Sequence, residues 1–543
     1  MLYRKIGKVF LLCPLVFVSL FASAPADISF FNDKPKGLVK DFYIYRYLQE
    51  PTTSSKDANA LLGETSRMSM KLFYAYASRI NEPNFKRTAE CLKMRLPTLL
   101  KQDTDCLAIK FSPYLATKMD KKELKKVEEE LSAYKISKSL HVFYSNAPFD
   151  AMKNGNNGLF FEIFNHVGSS YRRTFLDKEL STKKIQELQS DSRINKTINY
   201  IVTDNKMKNF NKSLLHVDRF EKVLTEDSLF FLGLNALKLG HSALAMDYLE
   251  KAYEKAYYRM DKDKILFWQY KISKDEKYKK ELGNSFDINI YTLLVGVKTK
   301  NIKTPVADKK NPDYDEQDPF GWTNLLKEVK NKDSAQLEIR AQKYLYTNTL
   351  PLYAYLMERA SHYKDHYFPM PYYKYLKNYD NKRIALILAI ARQESRLVPS
   401  ALSHSYALGM MQFMPFLAEA IAKKQKFQDF DLDNMFSPET AYMFANIHLN
   451  YLEKYLHNPL LIAYAYNGGI GFTKRLLKSG TFEEGEYEPY LSMELVPYGE
   501  SREYAKKVMA NYVIYMQILN EKVSINTLMS ALTHPSKVDE FRD

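Results

Sequence analysis

At 543 residues, and about 150 residues per domain, the chain is expected to hold three or four domains rather than one. Its 45% hydrophobic and 26% charged residues exclude disorder over most of the length, and its 18 glycines, about half the usual ~7% share, are too few for the turns of a sandwich or barrel. The class is therefore all-α. Lys and Arg exceed Asp and Glu by 79 − 64 = 15, which suits an anionic partner, although a general bias toward Lys and Tyr gives the same sum without one.

Residues 1–26 read as a secretory signal. Arg4, Lys5 and Lys8 precede an apolar run from Val9 to Phe21, and small residues follow at Ala22, Ala24 and Ala26. Pro25 disfavours a cut after Ala24, so cleavage is expected after Ala26, with an uncleaved anchor as the alternative. Removing three cations leaves an excess of 76 − 64 = 12 and no membrane-spanning segment. Cys91 and Cys106 are then the two remaining thiols of an exported chain, which predicts a disulfide between them, two buried free thiols being the alternative.

Residues 27–303 are expected to form an irregular α-superhelix, a solenoid-like arm. The clearest unit lies at 228–255, where Phe230, Leu234 and Leu237, then Leu244, Tyr248 and Ala252, mark two helix faces about the turn at Gly240. The run Lys121–Glu130 places Leu124, Val127 and Leu131 on one stripe and reads as a solvated helix. The stretch 304–319 is polar, Pro-interrupted and aperiodic, so 304–365 is read as a linker with connecting helices. His362 and His366 lack a third partner for a metal. Beyond a break at Tyr367–Pro371, residues 366–520 form a second, motif-rich domain, followed by a tail at 521–543.

In that domain an apolar stripe, Ile384, Ile387, Leu388 and Ala391, runs into Arg392-Gln393-Glu394-Ser395-Arg396. An ion pair with either arginine is the plainer reading of Glu394 taken alone. Three further blocks follow: Ala407-Leu408-Gly409-Met410-Met411-Gln412-Phe413-Met414-Pro415, Ala465-Tyr466-Asn467-Gly468-Gly469-Ile470-Gly471, and Glu494-Leu495-Val496-Pro497-Tyr498-Gly499-Glu500-Ser501-Arg502-Glu503-Tyr504. Four such blocks in this order resemble the soluble lytic murein transglycosylase family, whose catalytic domain has a goose-type lysozyme-like fold and whose helical arm forms a superhelix.

The resemblance covers about 370–520 and implies a periplasmic enzyme acting on peptidoglycan glycan strands, without cofactor, metal or nucleic acid. It implies Glu394 as the single acid and base, and Ser403, Met411, Gln412, Tyr466, Asn467 and Glu494 as residues that line the cleft or bind substrate. Two departures stand out: Tyr406 occupies a position where a glycine is usual, and Gly468 one where alanine is usual. Chemically, delivery of a proton to a glycosidic oxygen requires a carboxyl that stays protonated, and the apolar surround of the Ile384–Ala391 helix, Met410, Met411 and Phe413 would raise its pKa. Glycosidases ordinarily use two carboxylates, and the next acid near Glu394 in the chain is Glu419, expected on the surface. A lone acid implies substrate assistance, and the resemblance implies attack by the muramyl 6-hydroxyl with a 1,6-anhydro product. A hydrolytic muramidase of the same fold and an inert wall-binding scaffold are the alternatives.

Overall fold

The segment read as a helical hairpin folds as two helices, Glu226–Lys238 and Ser242–Lys255. Thr225 caps the first, its hydroxyl accepting from the Ser228 N–H, and Gly240 makes the turn at φ +81°. Gly233 lets the pair cross closely, since a Cβ there would lie 3.1 Å from Leu249. The first helix is buried along nearly its whole length, because the second packs on one side and the Ile194–Val202 helix on another. Arg259–Ser273 and Glu276–Gly283 continue the stack, each against its predecessor. This is the expected all-α architecture; among the described residues the only strands are Ile302–Lys303 and His366–Tyr367, paired in parallel.

The structure, a computed structural model, describes Pro25 and residues 27–297 and 301–542. The expected signal segment, Pro25 apart, lies outside the described residues. No described helix is long and apolar enough to cross a membrane.

Around Lys121–Glu130 the chain builds a small core of its own. Asp120 and Glu123 form a capping box, Leu124, Val127 and Leu131 point inward, and the Cys91–Cys106 disulfide, with Cα atoms 5.3 Å apart, is buried among Leu99, Leu107 and Leu140. Ten buried residues are a small core, and a cross-link closing a loop of 15 positions is worth about 3 kcal/mol there. Cys91→Ser with Cys106→Ser is expected to loosen this subdomain selectively, seen as faster proteolysis within 83–144 while the region beyond 381 stays resistant.

The aperiodic stretch after the first strand is fixed rather than free. The Asn348 side chain accepts from the Asn311 N–H at 2.8 Å and donates to the Asn311 and Tyr314 carbonyls at 3.1 Å. Pro319–Glu328, Ser334–Gln342 and Leu350–Ala360 then share a core built on Leu325, Val329, Leu337 and Leu356, which also takes in Val398 and Ala401. Here Glu358 becomes important: 3% exposed, it accepts hydrogen bonds from both Arg392 and Arg396. His362 and His366 diverge, one toward Ser334 and the other onto the Phe286 carbonyl.

The last part of the chain centres on Asn381–Ser395, capped by Asp380 and buried from Ile384 to Ala391 against Gly499–Ile518. Pro459–Gly468 packs on that same long helix. Residues after 520 fold back as short helices burying Ile525, Met529, Leu532 and Val538. One continuous core runs from Phe31 to Val538, so the arm and the motif-bearing domain share their packing. Polar ties reinforce it: Arg46 to Asp431 and Asp433, and the Asn205 amide to the Ser479 carbonyl.

Candidate active site

Glu394 sits in the last turn of Asn381–Ser395, which ends abruptly because Arg396 and Leu397 both take left-handed backbone conformations, at φ 55° and 67°. Because Glu358 satisfies Arg392 and Arg396, neither arginine neutralises Glu394. Burial pushes the Glu394 carboxyl up to about 8; a hydrogen bond from the Tyr504 hydroxyl, 2.8 Å from Oε1, pulls the other way, and the Glu500 carboxylate adds to the rise. The side chain is half-buried, so this protonated acid still reaches solvent.

The loop that faces it is built from the Gly409–Gln412 turn. Leu408 and Phe413 exchange backbone hydrogen bonds at 2.9 and 3.0 Å, and Leu408 also bridges Leu402. Gly409 is required at the turn: φ is +71°, and a Cβ there would lie 2.0 Å from the Met435 carbonyl oxygen. The Ser395 hydroxyl donates to the Met410 carbonyl at 2.8 Å, which ties the loop to the end of the acid's helix. Met411 is fully buried, while Gln412 is partly exposed, at φ +50°, its amide donating to the Gly409 and Ala401 carbonyls. The Ser403 hydroxyl accepts from the Ser405 and Ala407 N–H groups and is partly exposed.

Tyr466 and Asn467 end the Pro459–Gly468 helix. The Tyr466 hydroxyl donates to the Met411 carbonyl at 2.8 Å, and its ring meets Phe413 and His448 edge to face. Burial lowers His448 to about 4, so it is neutral at pH 7. Tyr466 thus props the cleft loop, and the phenol that holds the acid is Tyr504. Asn467 donates to Glu500 Oε1 at 3.2 Å and accepts from the Ser501 hydroxyl. That close approach suits Gly468, where a Cβ would come within 2.8 Å of Ser501 Oγ.

Glu494 does not line the cleft. It is 1% exposed, accepting from the Tyr291 hydroxyl at 2.7 Å and from Lys506 Nζ at 2.9 Å. The expected cleft role is corrected for a physical reason: five residues before Gly499–Ile518 begins, it points between that helix and the arm. The carboxylate at the cleft from this block is Glu500, bonded by Asn467 and Tyr498. Sequence reasoning assigned no role to Glu500 or Tyr504, yet a signal existed: they lie four apart in the terminal block, so they share one helix face.

Among the described residues, no group of three or more His, Cys, Asp or Glu is arranged to hold a metal ion. Chemically the site offers one protonated carboxyl with a phenolic partner, a second carboxylate nearby, and a wall of carbonyl, amide and hydroxyl groups.

Residues 372–488 match the family described as the transglycosylase SLT domain. The soluble lytic murein transglycosylase of Escherichia coli (strain K12) is 29% identical over 218 residues, 39% of this chain and 32% of that protein. A putative soluble lytic murein transglycosylase of Haemophilus influenzae is 36% identical over 138 residues, 25% of this chain and 22% of that protein. The chain therefore aligns with about a third or less of the length of these relatives. The 70 kDa soluble lytic transglycosylase of Escherichia coli is similar over 91% of this chain and 87% of its own, at 17% identity and a TM-score of 0.47. Residues 372–488 thus carry a transglycosylase SLT domain, and over this region the chain is similar to soluble lytic murein transglycosylases.

Proposed function

We propose that the protein is an exported, periplasmic peptidoglycan lytic transglycosylase that cleaves the MurNAc-β-1,4-GlcNAc bond. The observation that carries this reading is Glu394: a carboxyl held protonated at neutral pH by burial, positioned by Tyr504 and free of an arginine partner. Its proton passes to the bridging oxygen as the bond from C1 breaks, and the departing GlcNAc takes it as a hydroxyl. The substrate's acetamido oxygen stabilises the cationic carbon. The muramyl 6-hydroxyl then attacks C1 and returns its proton to the Glu394 carboxylate, which closes a 1,6-anhydro ring without consuming water. Ser403, Gln412 and Asn467 supply polar groups at the cleft for sugar hydroxyls and amides.

Mass spectrometry of the products released from sacculi tests the reading. Anhydromuropeptides are expected. Glu500 favours a second reading, since a carboxylate held by Asn467 and Tyr498 could order a water for hydrolysis. Reducing-end muropeptides, heavier by one water, would establish that alternative.

Activity should fall as pH rises through about 8, where Glu394 gives up the proton that the first step needs. Tyr504 stabilises the ionised carboxylate, so Tyr504→Phe is expected to move this basic limb to higher pH while lowering kcat/KM roughly 10- to 100-fold. A pH–rate profile of the two proteins checks both the direction and the loss.

A further inference from the structure

A further cavity lies outside the Glu394 site. It is a groove of about 890 Å³ between the arm's first long helix, Leu38–Gln49, and Pro415–Gln425 of the SLT domain. That volume suits an extended ligand of several rings. Its floor holds Tyr45 and Tyr406, with ring centroids 5.3 Å apart, and its far wall presents Phe416 and Phe427, which are 68% and 38% exposed. The lining also holds both signs of charge, Lys71 and Lys423 with Glu50, Glu419 and Asp429, and the amide of Gln49. Arg46 and Asp431, also in the groove, pair with each other.

Tyr406 links this groove to the active site. It lies on the loop that carries Ser403 and Met411, at φ +63°, a strained conformation for any residue with a side chain. Its ring fixes that conformation, packed 5.5 Å from Phe42 and covered by Lys71, whose ammonium also donates to the Ser405 carbonyl. The position usually held by glycine therefore serves here to join the arm to the cleft loop and to close the groove floor.

Exposed rings flanked by hydroxyl-, amide- and carboxylate-bearing side chains of balanced charge suit a neutral, polyhydroxylated chain rather than a polyanion or a purely apolar partner. We propose that this groove is a second glycan-binding site, which seats the sugar backbone of a strand on Phe416 and Phe427 away from the scissile bond. The proposal rests on the reading of the protein as a peptidoglycan enzyme and specifies where it grips its substrate.

The test uses the full chain carrying Glu394→Gln, so that strands are bound but not cut, with and without Phe416→Ala and Phe427→Ala. Both rings are solvent-exposed, and equal Tm values will verify the fold. Binding to peptide-free glycan strands is expected to weaken about tenfold in the groove variant, with little dependence on salt. Unchanged strand binding overturns the proposal. So does weakening that appears only with peptide-bearing strands and is abolished by salt, which would make the occupant an acidic stem peptide. Failure of the wild type to release anhydro products bears on the proposed reaction and leaves this binding result standing.

Discussion

Glu394→Gln is expected to reduce product release from sacculi by about 10²- to 10⁴-fold while the protein remains folded and still binds its substrate. The amide preserves the shape of the side chain and can still accept the Tyr504 hydrogen bond, but it has no proton to give a departing oxygen. The same substitution should raise stability at alkaline pH. A carboxyl whose folded pKa of about 8 exceeds its ordinary value of 4.5 contributes fully below pH 4.5, and that contribution is lost as pH rises through 8. In the wild type, folding above pH 8 places a charge in a half-buried site; the glutamine variant carries none. The Tm of Glu394→Gln minus that of the wild type should therefore grow between pH 5 and pH 9. A structural carboxylate in an ion pair would give the opposite trend, with the variant less stable at neutral pH. Loss of turnover together with a gain in alkaline stability is the joint outcome expected of an acid held in place for chemistry.

The helical class and the hairpin at 226–255 were legible in the sequence because helix periodicity is a local property, and burial of Phe230, Leu234 and Tyr248 follows from it. Glu394, a charge closing an apolar helix, reads as an ion pair when taken alone, and the order of the four motif blocks singled it out. Its surroundings were not legible in the same way. The arginines beside it in sequence are engaged by Glu358, 34 and 38 positions away, and its hydrogen-bond partner Tyr504 lies 110 positions on. Tertiary packing sets such pairings, and no spacing rule anticipates them. Glu494 illustrates the converse: its motif position pointed to the cleft, while its side chain turns inward because an arm residue, Tyr291, waits there with Lys506. The arm's contribution to the domain's interior has no counterpart in local pattern.

That interior contact yields the other large expected effect. Lys506→Met should destabilise the protein by about 3–5 kcal/mol, because it leaves the fully buried Glu494 without its ion-pair partner, hydrogen-bonded by the Tyr291 hydroxyl alone. Lys506 is wholly buried and donates at 2.9 Å to Glu494, at 2.9 Å to Glu503 and at 3.0 Å to Tyr291. Burial alone would raise Glu503, yet the charges of Lys506, Lys264 and Arg502 bring it down to about 2, so its favourable contribution is present above the ordinary carboxylate range and lost as pH falls toward 2. Adding Glu494→Gln to Lys506→Met should recover much of the loss, since no unpaired charge then remains at that position. Urea unfolding of the three proteins at pH 5 and pH 8 checks these signs; an equal deficit in the single and double variants at both values would assign the effect to lost packing instead. The cluster also bears on catalysis. Glu503 and Lys506 flank Tyr504 on the Gly499–Ile518 helix, so the cluster that ties the arm's Tyr291 to this helix borders the phenol that holds Glu394. Residual activity of Lys506→Met should therefore fall further than its folded fraction at pH 8, and the double variant should restore both together.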